Sequence, residues 1–238
     1  MRYETAIVTG ASRGLGRAIG RTLAARGLNV MLAARSEDAL AELAGELERE
    51  HPGRVAYTVA DLGSPEAVEP LFEATRRRFG PADVLVNNAG IGRERALVAS
   101  TEAEIAETIA LNLTGLILCS RAALPDMLER RRGYIVNVGS DLCRYFKPGM
   151  AVYTATKFGV LGFSGSLLRE VKDEGVRVTT VMPGVIDTGF GDFAAEGSLP
   201  PETGLEPDGL AEQIAALLET PGHMIVDELM LHPSAQRY

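Results

Sequence analysis

The chain has 238 residues, 46% of them hydrophobic, and this length suits one large domain with a substantial buried core. Its 24 basic and 32 acidic residues leave a formal charge of −8, which argues against nucleic acid or an anionic membrane as a partner. Two cysteines without a CxxC spacing and three scattered histidines favour a reduced, metal-free protein. The sequence indicates neither a signal peptide nor a membrane span, so we expect a cytoplasmic protein that acts on small molecules.

Short β-branched runs alternate with longer amphipathic segments from one end of the chain to the other. This alternation is typical of βαβ units and predicts an α/β fold with a doubly wound parallel sheet of about seven strands and helices on both faces. The predicted strands are Thr5–Thr9, Asn29–Ala33, Arg54–Val59, Val84–Asn87, Tyr134–Val138, Arg177–Met182 and Met224–Leu231. The predicted helices are Gly14–Arg26, Ser36–Glu50, Pro65–Phe79, Thr101–Arg130, Val152–Glu174 and Pro207–Glu219.

One stretch, Thr188–Glu206, departs from this alternation because it is rich in glycine and proline and carries Phe190 and Phe193. The chain that follows it is too short for a second domain. We therefore expect one domain over residues 1–238, with a substrate lid near 188–206.

The stretch TGASRGLG joins the first predicted strand to the first predicted helix and carries Gly10, Gly14 and Gly16. A glycine-rich turn at this point of a βαβ unit directs backbone N–H groups and a helix N-terminus at a pyrophosphate. An ordinary strand-to-helix turn is the alternative, whereas a Walker A loop is excluded because no Gly-Lys-Ser/Thr ending occurs. The loop therefore predicts a nucleotide site.

Tyr153 and Lys157 are four residues apart and lie on one face of a predicted helix. A neighbouring ammonium favours the phenolate, so we expect Lys157 to lower the pKa of Tyr153 and to make it a usable proton donor or acceptor. A core tyrosine beside a solvated lysine is the structural alternative.

Two further polar residues, Ser140 and Asn112, are candidates for the site because of their positions beside or within apolar runs. Ser140 follows the apolar run IVNV, so it should lie at the carboxyl end of a strand, where its hydroxyl can donate to a substrate oxygen. Asn112 lies inside the apolar stretch LNLTGLIL, where an unpaired amide would cost about 1–3 kcal/mol, so it must find a hydrogen-bond partner. A backbone carbonyl is the simplest such partner.

The motifs follow one another in a recognisable order. The glycine loop has the form GxxxGxG, NNAG follows the fourth predicted strand at Asn87–Gly90, and YTATK begins thirteen residues after Ser140. Together with Asn112 and the dipeptide Pro183-Gly184, this order resembles the short-chain dehydrogenase/reductase family, whose members are single Rossmann-like domains.

The resemblance implies an oxidoreductase that transfers hydride between a nicotinamide and a carbonyl or alcohol carbon. It implies that Tyr153 exchanges the proton, that Ser140 polarises the oxygen and that Lys157 holds the nicotinamide ribose. Asn112 would hold a water linked to the lysine, and the protein would be a homotetramer or homodimer. The cofactor-binding residues that the resemblance implies are Gly10, Ser12, Arg13, Gly14, Leu15, Gly16, Arg35, Asp61, Leu62, Asn88, Ala89, Gly90, Tyr153, Lys157, Pro183, Gly184, Val185 and Thr188.

The end of the second predicted strand distinguishes between the two nicotinamide cofactors. An acid there would bind both ribose hydroxyls and repel a 2′-phosphate, but this chain has Ala34 at that position. Arg35 follows directly and Arg13 lies in the glycine loop, and guanidinium groups suit a phosphate. We therefore predict NADP(H), with NAD(H) as the alternative, and expect Asp61 near the adenine amino group.

Other functions fit the sequence less well. A non-catalytic NADP(H) sensor or scaffold is the main alternative, and a dehydratase or epimerase would normally carry a larger C-terminal substrate domain. The serine-hydrolase elbow GxSxG is excluded because GFSGS lacks its last glycine and lies in a predicted helix. The C-terminal stretch MIVDELMLHP resembles that of family members acting on small hydroxy acids. Four cations are candidates for binding a substrate carboxylate: Arg93, Arg95, Arg144 and Lys147.

Overall fold

The computed structural model describes residues 3–191, 197–200 and 202–236, and a seven-stranded parallel sheet runs through them. The strand order is β3-β2-β1-β4-β5-β6-β7. The predicted Rossmann-like α/β fold is therefore confirmed. The strands are β1 (Thr5–Thr9), β2 (Asn29–Ala34), β3 (Val55–Val59), β4 (Val84–Asn87), β5 (Gly133–Val138), β6 (Val176–Pro183) and β7 (Glu228–Leu231).

Helices cover both faces of the sheet. They are α1 (Gly14–Ala25), α2 (Glu37–Glu50), α3 (Val68–Phe79), α4 (Glu102–Ile109), α5 (Leu116–Glu129), α6 (Ala151–Val171) and α7 (Pro207–Leu217). Alternate side chains of a strand point to opposite faces, so Val8 packs with α1, α2 and α7, whereas Ile7 packs with α3, α5 and α6. Both residues are fully buried, as expected for the central strand of a covered parallel sheet.

The long helix predicted over Thr101–Arg130 has three parts. A capping box between Thr101 and Glu104 starts α4, a π-helical segment occupies Ala110–Gly115, and α5 follows. A Cβ at Gly115 would overlap the carbonyl oxygen of Leu62, so this position needs glycine for the helix to approach the end of the third βα loop. The π turn was not predictable from the 3.6-residue pattern that marks the helix on either side.

The same stretch, Glu102–Glu129, is long and apolar enough by composition alone to cross a membrane. In this fold 44% of its most apolar window is buried, and α5 packs on β4 and β5. Within the described residues, this stretch therefore packs against the sheet as a core helix.

The last strand begins later than predicted. Met224 donates its N–H to Pro221 in a turn, and pairing with β6 starts when Thr180 donates to the carbonyl of Asp227. The predicted strand start at Met224 is therefore wrong, because the segment up to Asp227 completes the turn after α7. The other strands begin and end within one residue of their predicted bounds.

Candidate active site

A cavity of about 1200 Å³ opens at the carboxyl edge of the sheet. The loops after β1 to β6 line it, and it spans the point where β1 and β4 are neighbours although they are not consecutive in sequence. In doubly wound sheets this reversal of strand order leaves a crevice because adjacent loops diverge to opposite faces. The fold therefore places a large cavity at the edge of the sheet where the loops that carry the predicted motifs meet.

Tight packing explains the glycines of the first loop. Gly10 and Gly14 have φ of 64° and 51°, a region that favours glycine. A Cβ on Gly10 would lie 2.8 Å from the Cα of Ala89, and one on Gly16 would overlap the carbonyl oxygen of Gly10. We expected these glycines to make room for a pyrophosphate; within the described residues they also make room for the protein's own backbone.

The second motif, Asn88–Gly90, is fixed against that loop. Asn88 donates its side-chain amide to the carbonyl of Thr9 at 3.0 Å, and the Thr9 hydroxyl accepts the N–H groups of Asn88 and Ala89 at 2.9 and 3.0 Å. These bonds hold the ends of β1 and β4 together. The residues that the resemblance assigns to the cofactor and that line this half of the cavity are Gly10, Ser12, Arg13, Gly14, Leu15, Gly16, Leu62, Asn88, Ala89 and Gly90.

Two arginines line the far end of the cavity, next to Ala34. Arg13 is exposed and forms no ion pair within the described part of the chain. Arg35 lies 3.6 Å from Glu107 of α4, a carboxylate that also binds Arg93 at 2.6 Å. Sequence reasoning missed Glu107, because nothing in the helical pattern of α4 shows that this position faces the end of β2.

Asp61 lies differently from the expectation. It is exposed and absent from the described cavity wall, and its carboxylate accepts the N–H of Gly63 at 3.1 Å. The tight turn after β3 therefore satisfies the side chain locally. Ala60 and Leu62 on either side, together with Ile91 and Leu111, supply an apolar wall there instead.

Ser140 lies directly after β5, and its side chain faces into the cavity. Its hydroxyl donates to Asp141 at 2.9 Å and accepts the N–H of Leu142 at 3.2 Å. Ser140 and Asp141 are both buried, and the sequence motifs did not identify this carboxylate as the neighbour of the Ser140 hydroxyl.

Tyr153 lies near the start of α6 and is buried. Burial raises its pKa above the usual value, and the hydroxyl of Ser140 acts in the opposite direction. The pKa of Tyr153 is therefore raised, not lowered as we expected from Lys157, because desolvation is the largest cause of the shift; the Nζ of Lys157 lies 5.4 Å from the ring centroid. The phenol remains protonated at neutral pH.

Lys157 follows one turn later on α6 and is also buried. Its ammonium donates to the carbonyl of Val138, at the end of β5, at 2.8 Å. Burial lowers its pKa to about 8. Lys157 is therefore a cation at neutral pH that gives up its proton far more readily than a solvated lysine.

Asn112 is buried in the π-helical segment and is not among the described residues that line the cavity. It accepts the N–H of Ile91 and donates to the carbonyl of the same residue, both at 2.8 Å. Its amide also lies 3.4 Å from the hydroxyl of Thr156, the neighbour of Lys157. The expected backbone partner is thus found, and Asn112 connects the loop after β4 to α6.

The segment after β6 lines the end of the cavity near Ser140 and Tyr153 with Pro183, Gly184, Val185 and Thr188. Thr188 packs so closely on Gly14 that a Cβ there would lie 2.9 Å from the threonine Cβ. This contact joins the loop after β6 to the glycine loop.

The predicted lid region lies partly within the described residues. Phe190 and Leu199 line the cavity, and the ring of Phe190 is 6.2 Å from that of Tyr153. Phe193 lies outside the described residues. The lining side chains that sequence reasoning missed at this end are Asp141, Leu142, Tyr145, Phe146, Met150 and Gln236.

The four cations proposed for a substrate carboxylate all have carboxylate partners of their own. The pairs are Arg93–Glu107, Arg95–Glu104, Arg144–Glu228 and Lys147–Glu94, with separations of 2.6 to 2.7 Å. Only Arg144 and Lys147 line the large cavity among the described residues. The cavity wall near Ser140 is therefore mainly apolar, and the charges of its two cations are balanced by their carboxylate partners.

A model of the short-chain dehydrogenase family matches residues 4–197, a range that contains every motif named above except the C-terminal tail. The chain belongs to the short-chain dehydrogenase family. This membership confirms the resemblance seen in the sequence and the expectation of an oxidoreductase.

Individual relatives of this short-chain dehydrogenase agree with that conclusion. The 3-oxoacyl-(acyl-carrier-protein) reductase FabG of Vibrio cholerae is 41% identical over 185 residues, which cover 78% of this chain and 74% of the relative. An alcohol dehydrogenase of Thermococcus sibiricus, solved with 5-hydroxy-NADP, superposes with a TM-score of 0.92 at 36% identity and covers 99% and 98% of the two chains. A variant of the actinorhodin polyketide ketoreductase, solved with NADPH, gives 0.89 at 30% identity with the same coverage.

Proposed function

We propose that the chain is an NADP(H)-dependent oxidoreductase that transfers hydride between the nicotinamide and a small carbonyl or alcohol substrate. The observation that carries this proposal is one continuous cavity with Arg13 and Arg35 at one end and Ser140, Tyr153 and Lys157 at the other. The solved relatives that contain NADP or NADPH support the choice of cofactor.

The residues present fit this cofactor. The arginines would offer guanidinium donors to a 2′-phosphate, and the glycine loop and the start of α1 would bind a pyrophosphate through their backbone. Lys157, whose ammonium lies near the Val138 carbonyl and the Tyr153 ring, would bind a ribose hydroxyl. When bound, the reduced cofactor supplies a hydride to the carbonyl carbon.

The chain's own residues then stabilise the substrate oxygen and deliver the proton to it. Ser140 donates its hydroxyl hydrogen to the substrate oxygen and stabilises the negative charge that develops there. Tyr153 delivers its phenolic proton to that oxygen, and its raised pKa keeps the proton in place until an alkoxide forms. The Lys157 ammonium, with a pKa of about 8, can return a proton to the phenolate. Asn112 fixes the loop and helix around this pair; the water relay implied for it stays a prediction.

The remaining features of the proposal concern the whole protein. We propose that residues 1–238 form one cofactor-binding domain with a lid near 188–206, as the single sheet of the described residues supports. Exposed apolar side chains on and beside α4 and α6 support a homotetramer or homodimer: Leu97, Val98, Ile109 and Phe158. Cys119 and Cys143 are buried and unpaired, which supports a reducing, cytoplasmic location.

The test is a fluorescence titration with NADPH and NADH, followed by NADPH oxidation with a panel of aldehydes, ketones, 3-oxoacyl thioesters and small oxo acids. We expect tighter binding of NADPH and turnover of at least one panel member. Absence of NADPH binding would overturn the proposal. Binding without any turnover would favour a non-catalytic NADP(H) sensor or scaffold.

The Tyr153→Phe variant tests the assignment of the proton donor. It should bind NADPH as the parent does and lose turnover by about a thousandfold, because general acid catalysis typically contributes a factor of that order. Tyr57→Phe is the matched control, since Tyr57 lies on edge strand β3 with 38% exposure. Turnover retained in Tyr153→Phe would remove Tyr153 as the acid.

A further inference from the structure

The C-terminal segment after β7 returns to the cavity and ends its described part at Gln236. Two contacts hold this segment against the rest of the protein: Ala235 donates its N–H to the carbonyl of Glu202 at 2.8 Å, and His232 packs edge-on against Tyr145. Within the segment, Gln236 donates its N–H to the carbonyl of Pro233 at 3.1 Å. Gln236 lines the cavity, although it belongs to none of the sequence motifs named above.

The carboxamide of Gln236 bridges two parts of the reaction end. Its Nε2 donates to Oδ2 of Asp141 at 2.5 Å, and its Oε1 accepts the N–H of Val185 at 3.0 Å. The carboxylate of Asp141 needs a hydrogen-bond donor and the N–H of Val185 needs an acceptor. An amide side chain supplies both, whereas an apolar side chain supplies neither. Gly184 makes room for this bridge, because a Cβ there would overlap Oε1 of Gln236.

The bridge reaches the reacting hydroxyl through Asp141. The other oxygen of that carboxylate, Oδ1, accepts the hydroxyl hydrogen of Ser140 at 2.9 Å. The two bonds compete for the same negative charge, so the donation from Gln236 weakens the hold of Asp141 on the Ser140 hydrogen. That hydrogen must leave Asp141 if Ser140 is to donate to a substrate oxygen.

We propose that Gln236 is a positioning residue of the carbonyl reduction: through Asp141 it sets how readily the Ser140 hydroxyl turns to the substrate, and through Val185 it fixes the loop after β6. This inference rests on the function proposed above. Gln236 binds the carboxylate of Asp141 directly, and the charge of Asp141 acts to raise the pKa of Tyr153 and of Cys143.

Two variants test the bridge by different chemistry. Gln236→Leu removes the donor to Asp141 and should lower kcat about tenfold, a change equivalent to about 1.4 kcal/mol, with NADPH affinity within about twofold of the parent. Gln236→Glu places two carboxylates within hydrogen-bond distance, so one pKa rises and the pair shares a proton at low pH. In that form the glutamic acid donates to Asp141 as the amide does, and above the raised pKa the donation is lost.

The expected signature is therefore a pH dependence that only the glutamate variant shows. The ratio of its kcat to that of the parent should be near unity at about pH 5 and should fall about tenfold by about pH 8. Gln213→Glu is the matched control, because Gln213 lies exposed on α7 and the substitution makes the same change of charge. Its kcat should follow the parent at every pH.

A second measurement does not depend on turnover. The melting temperature of Gln236→Glu, relative to the parent, should fall as pH rises, because the shared proton is lost only at higher pH. A kcat ratio and a melting-temperature difference that are both constant with pH would overturn the inference, as would unchanged kcat in Gln236→Leu. Failure of the parent to reduce any carbonyl would instead overturn the proposed function, and the melting series would still decide whether Gln236 binds Asp141.

Discussion

Replacing Lys157 by methionine should stabilise the cofactor-free protein while removing its activity. The ammonium is buried, with the carbonyl of Val138 at 2.8 Å and the ring of Tyr153 at 5.4 Å. Burial lowers the pKa of Lys157 from an ordinary value of 10.5 to about 8. The native state therefore holds this proton less tightly than the unfolded chain, and the charged form costs stability.

The sign and pH range follow from linkage. Below about pH 8 the lysine is charged in both states, and the full penalty of about 3 kcal/mol opposes folding. Between about pH 8 and 10.5 the native state is neutral while the unfolded chain still binds the proton, so the penalty disappears as pH rises. Methionine has a similar shape and no charge, so its advantage over lysine should shrink by about 3 kcal/mol across this range.

The assay is urea unfolding of both proteins at a series of pH values without NADPH, with the difference in the free energy of unfolding as the result. A constant loss from the broken Val138 hydrogen bond shifts all values equally and leaves the slope intact. Lys172→Met is the control, because Lys172 has 40% of its side chain exposed and should show no such trend. A difference that stays the same from about pH 7 to about pH 11 would refute the assignment of a buried, weakly held proton to Lys157.

The remaining predictions concern both ends of the cavity. Arg35→Ala should weaken NADPH binding by about tenfold or more and leave NADH nearly unchanged, because only NADPH has a 2′-phosphate for the guanidinium; equal losses for both would contradict this role. Glu107→Gln should tighten NADPH binding by about two- to fivefold in the same titration, because it releases Arg35 from a solvent-exposed ion pair. Asn112→Leu should lower the free energy of unfolding by about 2–4 kcal/mol in urea, since it leaves the N–H and carbonyl of Ile91 unpaired; an unchanged midpoint would refute that account.

The sequence predicted the sheet and the position of the cavity because both depend on short-range patterns. Buried parallel strands have continuous apolar runs, and motifs that follow them must meet at the carboxyl edge. Ser140, Tyr153 and Lys157 were therefore brought together as expected.

What the sequence could not predict depends on contacts between distant segments. The direction of the Tyr153 pKa shift is set by burial under neighbours such as Phe190, and burial follows from packing rather than from the spacing to Lys157. The Arg35–Glu107 pair and the Gln236–Asp141 bond join positions far apart in the chain. The local bond of Asp61 to Gly63 was likewise not visible in the sequence, and its contact with the adenine stays a prediction.

The strand order also divides the chain into two parts, one before β4 and one after it. Arg13 and Arg35, which we connect with the choice between NADP(H) and NAD(H), precede β4, whereas Ser140, Tyr153 and Gln236 follow it. The two parts meet where β1 pairs with β4, where α1 packs on α7 and where Thr188 packs on Gly14. A recombination within β4 would therefore exchange Ser140, Tyr153 and Gln236 together while keeping Arg13 and Arg35, and it would have to preserve Glu107, the partner of Arg35, and the contact between α1 and α7.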